Sequence, residues 1–274
     1  MSIILDGTNG INTPNNFAYK NLLIDAGFTI NQRAYVSAAT LASGVYGHDR
    51  WKAGASGGDY SFTQLASNTQ ITIASGKSLI QVVEDKNVNG TSYVLSWTGT
   101  AQARYAVNSA TPAGSYAASP IVITGQTAGT TISVEFNTGT LSKPQLELGA
   151  VATSFDQRAY GTELALCQPY CQPVTGTAFT GQGVGGASGQ RMSHKFIQRM
   201  RASPTLNTTY PSAVLPKFAV VDGDGNVATQ SALGVSGLVA NAEICVFSVN
   251  NLTLTSGRSY VPVNGPGALA EAEL

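Results

Sequence analysis

Charge is what this sequence lacks most: Asp, Glu, Lys and Arg make up 11% of its 274 residues, about half the share of an ordinary soluble domain. Helical proteins draw their solvated faces from Glu, Lys and Arg, so the shortage argues against a mainly helical fold. Charge of one sign is missing too. Lys plus Arg and Asp plus Glu number 15 each, a formal net charge of zero, whereas a nucleic-acid binder needs a cationic excess to neutralise phosphates. No apolar run approaches the roughly 20 residues of a membrane span. The opening, Met1-Ser-Ile-Ile-Leu-Asp-Gly, has neither the basic start nor the long apolar stretch of a secretory signal. Cysteine is scarce: Cys167, Cys171 and Cys245 are an odd count spread over a long chain, which makes no disulfide framework. Cys167 and Cys171 stand four apart, but the only histidines are His48 and His194, too few for a four-ligand zinc site around them. They read as reduced, partly buried thiols in a chain folded in the cytoplasm. No metal and no cofactor is expected.

What is present suits sheets. Hydrophobic residues reach 43% and glycines number 30; Thr, Val, Tyr and Ile fit a pleated surface, and glycines fit the turns between strands. Candidate strands are 22–30, 60–65, 70–73, 78–83, 93–98, 101–107, 121–124, 131–136 and 144–148, separated by turn-rich pieces at 85–90, 108–114 and 137–139. Several alternate strictly. Tyr93, Leu95 and Trp97 share one face, and Ile132, Val134 and Phe136 lie opposite Thr131, Ser133 and Glu135, which predicts one packed and one wet face. Many short strands at close spacing make an all-β sandwich or barrel the natural architecture.

The length admits one large domain or two smaller ones. Residues 1–18 are weakly patterned and read as an attachment peptide or arm. Gln32-Arg33-Ala34-Tyr35 recurs as Gln157-Arg158-Ala159-Tyr160, framing a domain over about 19–160. If the first and last strands pair, the two copies would meet at one edge. A short helix is predicted over 161–170, within a linker spanning 161–173. Beyond it, candidate strands at 192–200, 217–221, 227–230, 243–249 and 252–254 form a second, smaller β domain over 174–274.

The loop 44–52 (GVYGHDRWK) is the densest cluster of functional side chains, with Tyr46, His48, Asp49, Arg50 and Trp51. It admits three readings. Trp51 is a buried anchor with Asp49 and Arg50 pairing locally, or the loop contacts sugar, or His48 and Asp49 serve acid–base chemistry; for the last, no nucleophile with an oxyanion-hole signature is evident. Tyr46, Trp51, Tyr116 and Tyr260 fall in or beside loops, where aromatic faces can meet the apolar faces of sugar rings. Glu84 and Asp85 are neighbours at a turn, and Glu135 and Glu147 lie on different strands; paired carboxylates are what glycoside hydrolysis requires, but nothing in the sequence pairs them. The run 222–226 (DGDGN) opens like a calcium loop, yet Leu233 stands where the bidentate Glu belongs, so it reads as a hairpin turn. Arg191, Lys195, Arg199 and Arg201 would share a face if 191–201 is a strand, facing solvent, a neighbouring subunit or an acidic glycan.

Two stretches carry a family resemblance. Asn21-Leu-Leu-Ile-Asp25-Ala-Gly-Phe28 through Gln32-Arg33, followed by Gly47-His48-Asp49-Arg50-Trp51, resembles the opening of jelly-roll domains in bacteriophage fibre proteins. Lys143-Pro-Gln-Leu146-Glu147-Leu-Gly149 through Phe155-Asp-Gln157-Arg158 resembles their closing strand, and is similar to the last strand of carbohydrate-binding modules. Gly161-Thr-Glu163-Leu-Ala-Leu-Cys167-Gln-Pro-Tyr170 resembles the link such proteins place before a C-terminal β domain, although Pro169 and Cys171 stand where the family has aromatic residues. Residues 1–14 also resemble phage fibre N-termini. The likeness covers about residues 1–172 and fades beyond. It implies a jelly-roll β-sandwich followed by a smaller β domain, in a homotrimeric virion fibre or spike assembled in the host cytoplasm. Such a protein contacts other virion proteins through its N-terminal segment and attaches to host surface polysaccharide without cleaving it. The expected glycan contacts are Tyr46, His48, Asp49, Arg50, Trp51 and Tyr116. Two other readings stay open: a purely structural head-fibre, decoration or connector protein of the virion, and a capsule depolymerase, for which the chain is short.

Overall fold

The structure, a computed structural model, describes residues 4–6, 10–12, 20–65, 68–174, 180–183, 190–207, 218–222, 227–230, 234–250, 259–264 and 268–273. The chain forms two compact units, residues 1–31 with 35–163, and residues 32–34 with 164–274. Both are built of antiparallel sheets; the fold is all-β.

In the first unit, β1 (Ile4–Asp6) and β2 (Gly10–Asn12) form an antiparallel pair within the expected attachment peptide. Ten strands follow: β3 (Lys52–Ala53), β4 (Tyr60–Phe62), β5 (Ile71–Ile73), β6 (Leu79–Val83), β7 (Ser92–Thr98), β8 (Ala103–Val107), β9 (Ala113–Ala117), β10 (Ile121–Thr124), β11 (Ile132–Phe136) and β12 (Gly139–Leu148). They make two five-stranded sheets, ordered β10-β7-β12-β5-β4 and β3-β6-β11-β8-β9. From β5 to β8 the chain alternates between the sheets. It stays in one sheet from β8 to β9, then alternates back through β12. That path gives the paired Greek keys of a jelly roll, with β4 and β3 each adding an edge strand.

The core lies where the sequence alternation places it. Leu79, Val134, Phe136 and Ala103 from one sheet meet Ile71, Ile73, Tyr93, Leu95, Leu141 and Leu146 from the other. The second face of β11 departs from expectation: Ser133 and Glu135 are buried as well. β12 turns a corner at Pro144. A proline cannot donate to the ladder, and Lys143 before it takes a left-handed φ of 54°, so the register slips between Ser142 and Gln145 as in a bulge.

Residues 22–30, predicted as a strand, fold into turns instead. The Asp25 carboxylate Oδ1 accepts hydrogen bonds from the backbone N–H of Thr29 (2.8 Å) and Ile30 (3.0 Å), offering the chain an alternative to a ladder. Asp25 and Phe28 both take positive φ. Conversely, β9 forms where the sequence predicts no strand, its first two residues inside the turn-rich piece 108–114; it is an edge strand defined by its pairing to β8.

The helix α1 (Tyr160–Cys167) forms within the predicted linker. In the second unit, Thr205–Asn207, Ala268–Glu271 and Cys171–Val174 form a three-stranded sheet. Seven further strands form another, in the order 227–230, 218–222, 259–264, 180–183, 190–195, 244–250 and 234–240. The predicted strand 192–200 ends at Lys195, so Arg199 and Arg201 do not continue a basic face. Arg199 approaches Glu243 at 3.9 Å, and the Arg191 side chain, residues 223–226 and residues 252–254 lie outside the described residues. Cys167, Cys171 and Cys245 are buried free thiols, and burial pushes the Cys245 thiol up to about 12.

The repeated Gln-Arg-Ala-Tyr serves each unit separately. Arg158 donates to both Glu163 carboxylate oxygens (2.9 and 3.2 Å), to Leu23 O and to Asn21 O, tying the start of the sandwich to its exit. Arg33 pairs with Glu271 and Glu273, each at 2.9 Å, within the second unit.

Candidate functional site

Residues 47–51 of the loop at 44–52 supply core, not surface. His48, Asp49, Arg50 and Trp51 are all at most 2% exposed, which corrects the expectation that they meet a glycan. Trp51 stacks on Phe28 with centroids 4.8 Å apart and meets Phe136 edge-on at 5.9 Å; its indole N–H donates to Asp25 O at 3.0 Å. An indole with a satisfied donor is at home in a core. The Arg50 guanidinium donates to Val82 O at 2.8 Å.

His48 is held neutral. Its Nδ1 lies 2.6 Å from Tyr60 Oη, and its Nε2 lies 3.1 Å from Gln64 Oε1. Since Gln64 Oε1 only accepts, Nε2 carries the proton and Nδ1 accepts from the tyrosine. Burial drives the His48 pKa down to about 4, against a smaller opposing pull from Gln64. Burial likewise pushes the Asp25 carboxyl well above its ordinary value, reinforced by the nearby Asp49 charge. Such shifts also mark functional sites, but here both groups are enclosed in the sandwich and serve its packing.

Tyr46 and Tyr116 are the members of the set that keep half-exposed rings, and the sheet places them at opposite ends of one row. Directly paired residues of an antiparallel sheet share a face. Lys52 pairs with Ile80, Ile80 with Glu135, and Glu135 with Arg104. The neighbouring partners Ala53, Leu79, Phe136 and Ala103 belong to the core, so this row points outward. At one end Tyr46 bridges to Lys52, whose Nζ lies 5.9 Å above its ring. At the other, the Arg104 guanidinium lies 4.8 Å from the Tyr116 centroid.

The Tyr116 end is built from below. Arg104 Nε donates to Glu135 Oε2 at 2.6 Å, Ser78 Oγ donates to Glu135 Oε1 at 2.6 Å, and the Tyr116 hydroxyl interacts with both Glu135 and Ser78. A Cβ on Gly54 would collide with Ser78 Oγ and Glu135 Oε1, so only glycine leaves this network intact. The next row inward is closed, since Val82 and Ser133 are buried. The result is a flat ring fixed over a partly exposed guanidinium, flanked by hydrogen-bonding groups. Such a surface can stack on an apolar ligand face while donating to its oxygens.

Glu135 and Glu147 lie on different sheets. Glu135 is on β11, whereas Glu147 is on β12 and is engaged by Thr153 at 2.8 and 2.6 Å. Among the described residues no group of three or more His, Cys, Asp or Glu is arranged to hold a metal, and no described helix is long and apolar enough to cross a membrane. Sequence reasoning named Tyr116 and Tyr46 but missed Arg104 and Ser78. Their signal was available only through cross-strand register.

No protein-family model matches the chain, and no curated protein matches it. Among solved structures, it is similar to a Paenibacillus sp. cycloisomaltooligosaccharide glucanotransferase complexed with cycloisomaltoheptaose, at 10% identity and a TM-score of 0.22, over 88% of this chain and 46% of that one. The chain thus spans less than half of that enzyme's length, and a likeness so slight carries no argument about fold or activity.

Proposed function

We propose that this chain is a virion fibre or spike subunit that attaches the particle to host surface polysaccharide by binding glycan without cleaving it. The observation that carries the reading is the outward row of the β3-β6-β11-β8-β9 sheet, where the Tyr116 ring lies against Arg104, itself held by Glu135. An aromatic platform beside charged hydrogen-bonding groups is the surface a pyranose ring requires. The jelly-roll topology and the scarcity of charge agree with it, as does the resemblance of residues 1–172 to phage fibre proteins. The fibre would be a homotrimer whose chains bury strand edges against one another and whose three weak sites gain avidity on one particle. Other virion proteins would hold it through the N-terminal segment.

The test is retention of the purified chain on a glycan array and on host cells, with Tyr116→Ala alongside. Binding that weakens in the variant, without release of reducing sugar, supports the proposal. No retention on any glycan or host surface overturns it in favour of a purely structural head-fibre, decoration or connector protein. Sugar release would establish a depolymerase.

A further inference from the structure

Resting on the glycan-binding reading above, we propose that the ligand is an internal stretch of extended polysaccharide. It lies across the strands of the outward sheet face and engages Tyr116 and Tyr46 together.

The row that joins the two tyrosines runs perpendicular to the strands, through Arg104, Glu135, Ile80 and Lys52 in register. Strands neighbour one another at about 4.8 Å, so five spacings, four from β9 to β3 and one more across the Lys52 bridge to Tyr46, set the rings roughly 24 Å apart. A terminal mono- or disaccharide reaches one ring at a time. A chain of several sugars reaches both, and its second contact forms within an already bound molecule at high effective concentration. The groups between the rings suit a sugar backbone: the half-buried Ile80 is apolar, and the Arg104 side chain, about a third exposed, offers donors. Burial of Val82 and Ser133 in the adjacent row closes one side of this track. The two rings belong to segments seventy residues apart in sequence, one before β3 and one in β9. Pairing through the sheet brings them to the same face.

The experiment measures affinity of the full chain for linear neutral and acidic oligosaccharides of graded length, from disaccharide to octasaccharide, on an array and by titration. The expected result is affinity that climbs with length and levels off once both rings are spanned. Tyr116→Ala should weaken all lengths about fivefold or more, whereas Tyr46→Ala should weaken only the long ligands to that degree. Tyr116→Phe, which keeps the ring, should retain most of the binding and controls for folding. Affinity already maximal for a disaccharide, or indifferent to Tyr46 at every length, overturns the extended-chain inference while leaving glycan binding in place. Failure of every oligosaccharide and of purified host polysaccharide to bind overturns the functional reading itself.

Discussion

Acidifying the solution should unlock the jelly roll through His48. The imidazole is buried and uncharged, with its pKa driven from an ordinary 6.5 to about 4 by burial. The unfolded chain therefore takes up a proton at His48 near pH 6.5, while the folded chain resists until about pH 4. The stability contributed by the neutral ring is present in full above pH 6.5 and is lost as pH falls toward 4, because the unfolded state binds more protons across that window. The slope is about 1.4 kcal/mol per pH unit, and the whole loss comes to about 3 kcal/mol, a large fraction of a domain's stability. Asp25 works in the opposite sense. Its raised pKa means the folded state takes up a proton first, so it removes stability as pH rises and restores it on acidification. Comparing wild type with His48→Gln cancels the Asp25 contribution, since Asp25 is not among the causes that move His48. Urea unfolding followed by tryptophan fluorescence suits the question, because the chain's two tryptophans, Trp51 and Trp97, both lie in the first unit's core. The advantage of wild type over the variant should shrink by about 1.4 kcal/mol per pH unit between pH 6 and pH 4.5. A difference that stays constant across that range refutes the buried neutral imidazole.

Trp51→Ala should destabilise the first unit by about 3–5 kcal/mol, since it empties a fully buried site between Phe28 and Phe136; urea midpoints measure it. Arg158→Met should cost about 3–5 kcal/mol by leaving the Glu163 carboxylate buried without its partner, and Arg158→Met with Glu163→Leu should recover much of that loss in a double-mutant cycle. Asp25→Asn should gain on wild type as pH rises from 4 to 8, the reverse of the His48 trend, read from the same titrations. Gly54→Ala should leave the core folded but displace Ser78 and Glu135 from beneath Tyr116. Glycan retention should fall with it while the unfolding free energy drops by about 1–2 kcal/mol.

By itself the sequence determined the class of fold. Too little charge for helices, with period-two runs such as Tyr93-Val-Leu-Ser-Trp97, already implied sheets with a greasy side, because the alternation of a pleated strand is a local property of the chain. The positions of β7, β10 and β11 followed from it within a residue or two. Tertiary structure decided what local pattern could not. The apolar run 22–30 became turns because the Asp25 side chain captured its own backbone, and the unpromising 113–117 became a strand because β8 offered it an edge. The showiest loop, His48 through Trp51, is drawn inward because its rings find apolar partners there, Trp51 against Phe28 and Phe136 and His48 against Phe28, Tyr60 and Phe62. Tyr116 and Tyr46 gained a shared face only through the register of five strands. Which side chains meet across a sheet depends on pairings tens of residues apart, and no window of the sequence contains both partners.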